Sequence, residues 1–316
     1  MSGSIILELL SHFQMQYFVM TLVLSAIALT LHITHKFNNS GRPATSRKVS
    51  SLRLALVPLF CSALLSAQIA PWYLPSAFAS KPTNYRVMST NLNIRNRDAS
   101  EILKLTEKEQ PDLALFIEVN DDMAEQLQAL DTSFPYSSNQ LTPYQPDAVL
   151  YSKYPLSDFE IRKFDTNNAV NLTAHVQVKQ QTLSIVAIHP LPPLNQSFLE
   201  SRNRVFRAAS EYVQQQRDPV LLIGDFNVTM WSPDYRSLVR ETGLKNTRKG
   251  FGTLPTWPAN MSYHLTPKLD PLTRLVQIPI DQCLASRSLK VTGMHTGPDV
   301  GSDHLPIVID FAVSQL

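Results

Sequence analysis

Asp225 and Asn227 stand at the end of an apolar run, Val220–Ile223, that Pro219 and Gly224 bound. Such a run suits a buried β-strand. Alternate side chains of an extended chain share a face, so Asp225 and Asn227 point one way and Phe226 the other. A carboxylate and an amide at the end of a core strand cost stability unless something uses them. Taken alone, the pair reads as a strand followed by an Asx-type turn. Polar residues recur, however, where other apolar runs stop: Asn91, Glu118, His189, Asp281, and Asp303 with His304. Each has a harmless reading by itself: a turn residue, a capped surface acid, a hydrogen-bonded histidine, a buried salt-bridge partner. Their hard oxygen donors, with no cysteine cluster, point to Mg2+ or Mn2+ rather than zinc. The chemistry open to such a set is metal-assisted attack by an activated water.

Strands must position these residues. Tyr85–Thr90 is strand-like and ends in Asn91, and Leu113–Ile117 ends in Glu118. Asp147–Tyr151 is a further strand, and Asn171–His189 reads as a hairpin turning near Lys179–Gln181. Ile278–Ser286, Leu289–Met294 and Leu305–Phe311 complete the strands. Helices are expected from Asp98, as an acidic cap, to about Gln110 before Pro111, from Asp121, over Ser197–Gln216, and from about Pro233 to Glu241. In the third of these, Leu199, Phe206, Ala209 and Val213 share one face. A Gly/Pro-rich loop follows through Thr266. Strands outnumber helices and many neighbours lack a helical crossover, so a layered α/β sandwich fits better than a doubly wound sheet.

The ordered set resembles the endonuclease/exonuclease/phosphatase family of metal-dependent hydrolases. The matching pieces are S-T-N at Ser89–Asn91, F-I-E-V at Phe116–Val119 and D-A-V-L-Y-S-K-Y-P-L at Asp147–Leu156. They continue with A-I-H-P at Ala187–Pro190, G-D-F-N at Gly224–Asn227, I-D-Q at Ile280–Gln282 and G-S-D-H-L-P at Gly301–Pro306. H-P-L-P-P at His189–Pro193, T-W-P at Thr256–Pro258 and the N-terminal anchor described below are similar to a bacterial membrane-anchored subgroup, the YafD-like and VanJ-like proteins. The resemblance implies a DNase I-like four-layered α/β sandwich, two β-sheets flanked by helices, preceded by a transmembrane hairpin. It also implies roles. Glu118 and Asp303 would be metal ligands, with Asn91 in or next to that shell and Mg2+ or Mn2+ as cofactor. Asp225 and Asn227 would position the attacking water and a phosphate oxygen. Asp281 would orient His304, the base or phosphate ligand, and His189 would donate to the phosphoryl group. Two positions depart from the pattern: Gln282 replaces a common His and Ile117 a common Gln. Arg202 and Arg204 follow the H-P-L-P-P loop, but on a polar helix face solvated arginines are the expectation.

The first eighty residues read as a membrane anchor. No Asp, Glu, Lys or Arg occurs between Glu8 and Lys36, nor between Arg53 and Lys81. Each interval exceeds the roughly 20 residues that a spanning helix needs. The spans are placed near Tyr17–Ile33 and Leu54–Tyr73, with Tyr17, Phe18, Trp72 and Tyr73 at their ends. Lys36, Arg42, Arg47, Lys48 and Arg53 lie in the linker and hold it in the cytoplasm, which exports everything after Lys81. Residues 1–80 are thus the anchor and 81–316 the catalytic domain, outside the inner membrane of a bacterium. Ala77-Phe78-Ala79 has the form of a signal-peptidase site, so a cleaved second segment is the alternative.

Charge narrows the substrate. The chain has 316 residues and a net charge of +2. Its first eighty residues hold five bases and one acid, so the remainder carries about −2 by subtraction. That disfavours a domain holding nucleic acid by long-range electrostatics. Cys61 and Cys283 lie far apart and give no disulfide framework. Tethering beside the bilayer raises the effective concentration of lipid head groups and favours lipid-linked phosphate esters. A nuclease of the same family and a catalytically inactive binding module are the alternatives. The intact set of acids and histidines counts against the second.

Overall fold

Twelve strands form two six-stranded sheets in the computed structural model, which describes residues 4–38, 48–75, 85–141, 147–166, 171–179, 181–260 and 271–313. The strands are β1 (Tyr85–Asn91), β2 (Leu113–Ile117), β3 (Tyr136–Ser137), β4 (Ala148–Ser152), β5 (Leu156–Arg162) and β6 (Asn171–Val178). They continue as β7 (Gln181–Ala187), β8 (Val220–Asp225), β9 (Lys245–Asn246), β10 (Asp281–Ala285), β11 (Leu289–Thr296) and β12 (Ile307–Val313). One sheet has the order β11-β12-β1-β2-β4-β3 and the other β5-β6-β7-β8-β10-β9. β1 runs parallel to β2, and β7 parallel to β8. The other pairings are antiparallel.

The period of two explains the layers. Leu113, Leu115 and Ile117 of β2 face the other sheet, while Ala114 and Phe116 face an outer helical layer. In β8, Leu221 and Ile223 face inward and Val220 and Leu222 outward. Burying each large side chain in this way contributes about 1.5–3 kcal/mol. The phase also decides where the polar ends go. Asn91 shares the inward phase of Tyr85 and Val87, Asp225 that of Leu221 and Ile223, and Asp281 that of Cys283 and Ala285. Three polar side chains from three strands thus meet at one end of the inter-sheet core.

Helix α4 (Ser100–Glu109) and α5 (Asp121–Leu127) cover the first sheet. After the short α6 (Ser138–Leu141), α7 (Gln196–Gln214) and α8 (Pro233–Thr242) cover the second. Leu199, Phe206, Ala209 and Val213 are buried on α7, as their spacing predicts. α4 begins at Ser100, and the Asp98 carboxylate accepts the Ser100 N–H at 2.9 Å ahead of the helix instead of capping its interior. β5 had no expectation from the sequence. Its side chains are exposed or half-buried, so it lacks the apolar run that marks a core strand.

The N-terminal segment forms α1 (Ile5–Ser11), α2 (Gln14–Asn38) and α3 (Lys48–Tyr73). Gln14–Thr34 and Leu56–Tyr73 are long and apolar enough to cross a membrane. α2 and α3 lie side by side, with the Ser62 hydroxyl donating to Thr21 Oγ1 at 2.9 Å. Most of the basic linker, Ala77–Ala79 and His264 lie outside the described residues. The end of α3 is fastened to the sandwich: the Trp72 carbonyl accepts the N–H groups of Gly250 and Gly252 at 3.0 and 2.8 Å. Ile69 and Trp72 join the apolar layer beneath α7 and α8. Helix α9 (Thr273–Val276) ends at Gln277, whose carbonyl accepts from Gln16 of α2 at 3.0 Å.

Candidate active site

β8 ends at Asp225, and Asn227 enters the left-handed region at φ 50° so that its N–H closes onto Asp225 Oδ1 at 2.8 Å. The Asx-type turn is therefore present and is part of the site. Asn227 turns its amide to the Pro190 carbonyl, at 3.0 Å, and Phe226 is buried against Phe206 on the far side. Gly224 makes this packing possible. At its φ of +143°, a Cβ would stand 2.1 Å from the Ile188 carbonyl oxygen. Only glycine lets the His189 loop pass so close to Asp225.

Asn91 bridges two acids, its amide donating to Glu118 Oε1 at 2.7 Å and Asp225 Oδ2 at 3.2 Å. Glu118 follows β2 with φ 56°, which turns it out of the strand's alternation, and its Oε2 accepts the Ile94 N–H at 3.0 Å. His189 Nε2 lies 3.5 Å from Glu118 Oε1 and 3.8 Å from Asp225 Oδ2. On the other side, His304 Nδ1 donates to Asp281 Oδ2 at 2.8 Å, and its Nε2 lies 3.6 Å from Asp225 Oδ2. Asp303 accepts from Asn93 Nδ2 at 2.9 Å and from Trp257 Nε1 at 3.2 Å.

The electrostatics follow from burial and neighbours. Burial raises the Asp225 carboxyl to about 6 against the pull of His304, and Asp281 adds to the rise. For His304, burial opposes the charged form, but Asp281 and Asp225 outweigh it and hold the imidazole well above its ordinary value. Glu118 stays below the usual carboxylate range. Burial works to raise it, but His189, the Asn91 amide and the Ile94 N–H together prevail.

All eight residues expected from the sequence fall here. Asn91, Glu118, His189, Asp225, Asp281 and His304 form one connected cluster, Asn227 borders it, and Asp303 lies beside His304 in chain and in space. Asp281 also donates its N–H to Thr256 Oγ1 at 3.3 Å, which gives T-W-P a positioning role with Trp257. Gln282 points away from the cluster and is buried, donating to the Val228 and Pro279 carbonyls. Its Oε1 accepts from Arg248, which also donates to the Asp281 carbonyl at 2.8 Å. The departure from His therefore acts through Arg248 and the strand backbone. Arg202 of α7 is fully buried, against expectation, whereas Arg204 keeps a partly exposed side chain that pairs with Asp165 at 2.7 Å. His175 and His295, without motifs, pair with Asp158 and Glu109 away from the site.

The cluster floors a cleft of about 720 Å³ whose walls include Ile94, Leu191, Leu194, Trp257, Ile278 and, unforeseen from the sequence, Leu9 and His12 of the N-terminal segment. Acidic oxygens lie at the bottom of the cleft and apolar side chains form its walls.

Residues 88–304 match the family model described as Endonuclease/Exonuclease/phosphatase family. Among solved structures, D. rerio TDP2 complexed with single strand DNA product is 18% identical with a TM-score of 0.58, over 72% of this chain and 99% of that one. An endonuclease/exonuclease/phosphatase from Beutenbergia cavernae is 19% identical, TM-score 0.55, over 72% and 71% of the two chains. Sphingomyelinase C from Streptomyces griseocarneus is 14% identical, TM-score 0.51, over 73% and 99%. At these identities the likeness is one of fold. No curated protein matches the chain.

Proposed function

The chain belongs to the endonuclease/exonuclease/phosphatase family, and we propose that it is a divalent-metal-dependent phosphoesterase, held on the outer face of a bacterial cytoplasmic membrane, that acts on lipid-linked phosphate esters. The observation that carries this reading is the convergence of Glu118, Asp225 and His304 at the floor of an apolar-walled cleft, with Asn91 and Asp281 bonded to them from behind.

The donor set fits Mg2+ or Mn2+. Glu118 and Asp225 share a single amide, that of Asn91, so acid is in excess on the open side of the cluster, and a cation offsets it. Asp225, Asp281 and His304 also bring ligand atoms within 4.8 Å of one another. Nδ1 of His304 is committed to Asp281, and a charged imidazole has no lone pair to offer, so this trio handles protons instead. Glu118 and Asp303, with Asn91, would hold the cation, which when bound neutralises phosphoryl charge and acidifies water.

The protein's own groups supply the rest. Asp225, raised by burial into the neutral range, accepts the proton of the attacking water, and the Asn227 N–H fixes its orientation. His304, kept charged by Asp281, presents Nε2–H to a phosphoryl oxygen, and His189 donates from the opposite side. The apolar walls exclude water and seat the substituent.

The two membrane-length helices support anchoring, with the basic linker cytoplasmic and the sandwich outside. A periplasmic reporter fused after Leu316 should be active; an active cytoplasmic reporter there refutes the topology. For the chemistry, the full chain in lipid nanodiscs is assayed for release of alcohol from bis(p-nitrophenyl) phosphate and from a long-chain phosphodiester. Turnover should vanish in EDTA and return with Mg2+ or Mn2+. Activity that survives thorough chelation removes the metal, and no turnover of either ester with metal present leaves a binding module.

A further inference from the structure

Helix α1 is short, precedes the first membrane-length helix, and is nevertheless seated on the sandwich by buried polar contacts. Glu8 is 4% exposed and its carboxylate accepts from Arg202 at 2.8 Å and from the Ser232 hydroxyl at 2.7 and 2.9 Å. One helical turn on, His12 Nδ1 faces the Thr229 hydroxyl at 3.2 Å and the Thr229 N–H at 3.4 Å. Residues i and i+4 share a helix face, so this pair fixes the rotation of α1 about its own axis. That rotation places Leu9, 41% exposed, on the wall of the catalytic cleft, with the 74% exposed Leu194 among the other wall residues.

We propose that α1 is a specificity element of the active site: Leu9 seats a hydrocarbon chain carried by the phosphate ester, and the chain enters from the bilayer. The proposal rests on the phosphoesterase reading for the identity of the head group. Three observations carry it. The polar floor of the cleft is built for an anion with its cation, whereas Leu9, Ile94, Leu191, Leu194 and Ile278 offer nothing to the hydroxyls or bases of a polar substituent. Only His12 and Phe13 separate α1 from α2, whose first 21 residues form a membrane-length stretch, so with α2 in a bilayer the Leu9 wall would stand at the membrane edge of the cleft. Ile6, Leu7 and Leu10 extend the apolar surface outward along the same helix. An alkyl chain can therefore pass from lipid along α1 to the phosphate without crossing water.

The test reads binding, independently of turnover. The full chain in nanodiscs with Mg2+ is titrated calorimetrically with ethyl phosphate and with hexyl phosphate, and empty nanodiscs correct for partition. Four additional methylenes in an apolar seat should tighten hexyl phosphate at least about tenfold over ethyl phosphate. Leu9→Ser should shrink that ratio to within about threefold, and Leu9→Met should keep it. Dodecyl phosphate incorporated in the disc should displace hexyl phosphate. A parent that prefers neither ester, or a preference that survives Leu9→Ser in a variant whose melting matches the parent, overturns the role of α1. Failure of the lipid-borne ester to compete overturns entry from the bilayer. Chain-length preference without hydrolysis leaves this inference standing and sinks the catalytic reading, while hydrolysis without preference does the reverse.

Discussion

Two buried charge clusters, one joining the N-terminal segment to the sandwich and one inside the sandwich, solve opposite problems. The Glu8 cluster is closed: Arg202 is fully buried and faces two carboxylates, Glu8 at 2.8 Å and Asp234 at 3.0 Å, while Ser232 and Asn203 donate to the same oxygens. The Asp225 cluster is open: Glu118, Asp225 and Asp281 crowd around two histidines at the floor of the cleft. Buried charge is tolerable when paired and hydrogen-bonded, and costly otherwise. The first arrangement spends its charges on holding an element in place. The second leaves its acids crowded at an open cleft, the mark of a candidate functional site.

The largest expected effect breaks the two apart. Asp225→Asn keeps the volume but removes a carboxylate whose raised pKa shows that the fold resists its ionisation. A folded pKa above the unfolded one means that the charged form costs stability at neutral pH. The variant should melt at the parent temperature or higher, while turnover falls about 10²-fold or more. His304→Ala should lose as much turnover and Asp281→Asn less, since it acts through His304. His295→Ala, far from the cleft, serves as the control. Parent-like turnover by both Asp225→Asn and His304→Ala would remove the catalytic assignment.

Glu8→Ala should do the reverse, costing stability first. Removing one partner of a buried ion pair costs roughly 3–5 kcal/mol, and because Arg202 keeps Asp234 the lower end applies, about 3 kcal/mol. Thermal or denaturant unfolding of the full chain in nanodiscs measures it. A loss below about 1 kcal/mol would mean that α1 is not seated as described. The same contacts bear on the protein to be assayed: cut at Lys81, it would lose Glu8 and His12 along with the anchor.

The difference between the clusters also explains what the sequence disclosed. Asn91 and Asp225 were legible because each ends an apolar strand in the inward phase, and Asp281, expected inside a strand Ile278–Ser286, instead opens β10 in that phase; sheet geometry turns this local pattern into convergence. Glu118 was legible by its place after Ile117, although its left-handed backbone was not. The Glu8 contact was invisible for the opposite reason. Its partners Ser232 and Glu8 lie 224 residues apart, and neither sits in a pattern that requires the other. Glu8 read only as the border of a charge-free stretch, and Arg202 as one polar position on an amphipathic helix. Burial of a long-range polar pair leaves no periodic trace, so α1 merged with the anchor and its place in the cleft went unseen.

The smallest effect sharpens the comparison through pH. His12 is held neutral: burial is the main cause, Arg202 adds to it, and the pKa falls from the ordinary 6.5 to about 3. The Thr229 N–H aimed at Nδ1 requires an unprotonated nitrogen there. In the unfolded chain His12 titrates near 6.5, so between pH 6.5 and pH 3 the unfolded state binds one proton more than the folded state. Stability supplied by His12 is therefore complete above pH 6.5 and is lost as pH falls below it. At pH 5 the loss is about 2 kcal/mol, from 1.36 kcal/mol per unit over the interval. Removing the imidazole while keeping a hydrogen-bonding side chain, as in His12→Asn, should flatten the fall in unfolding free energy between pH 7 and pH 5 by that amount. Measuring both proteins in nanodiscs at the two pH values isolates His12, because all other groups titrate alike in parent and variant. Equal slopes in the two proteins would show that His12 is protonated or exposed in the folded state, and that α1 is held by Glu8 alone.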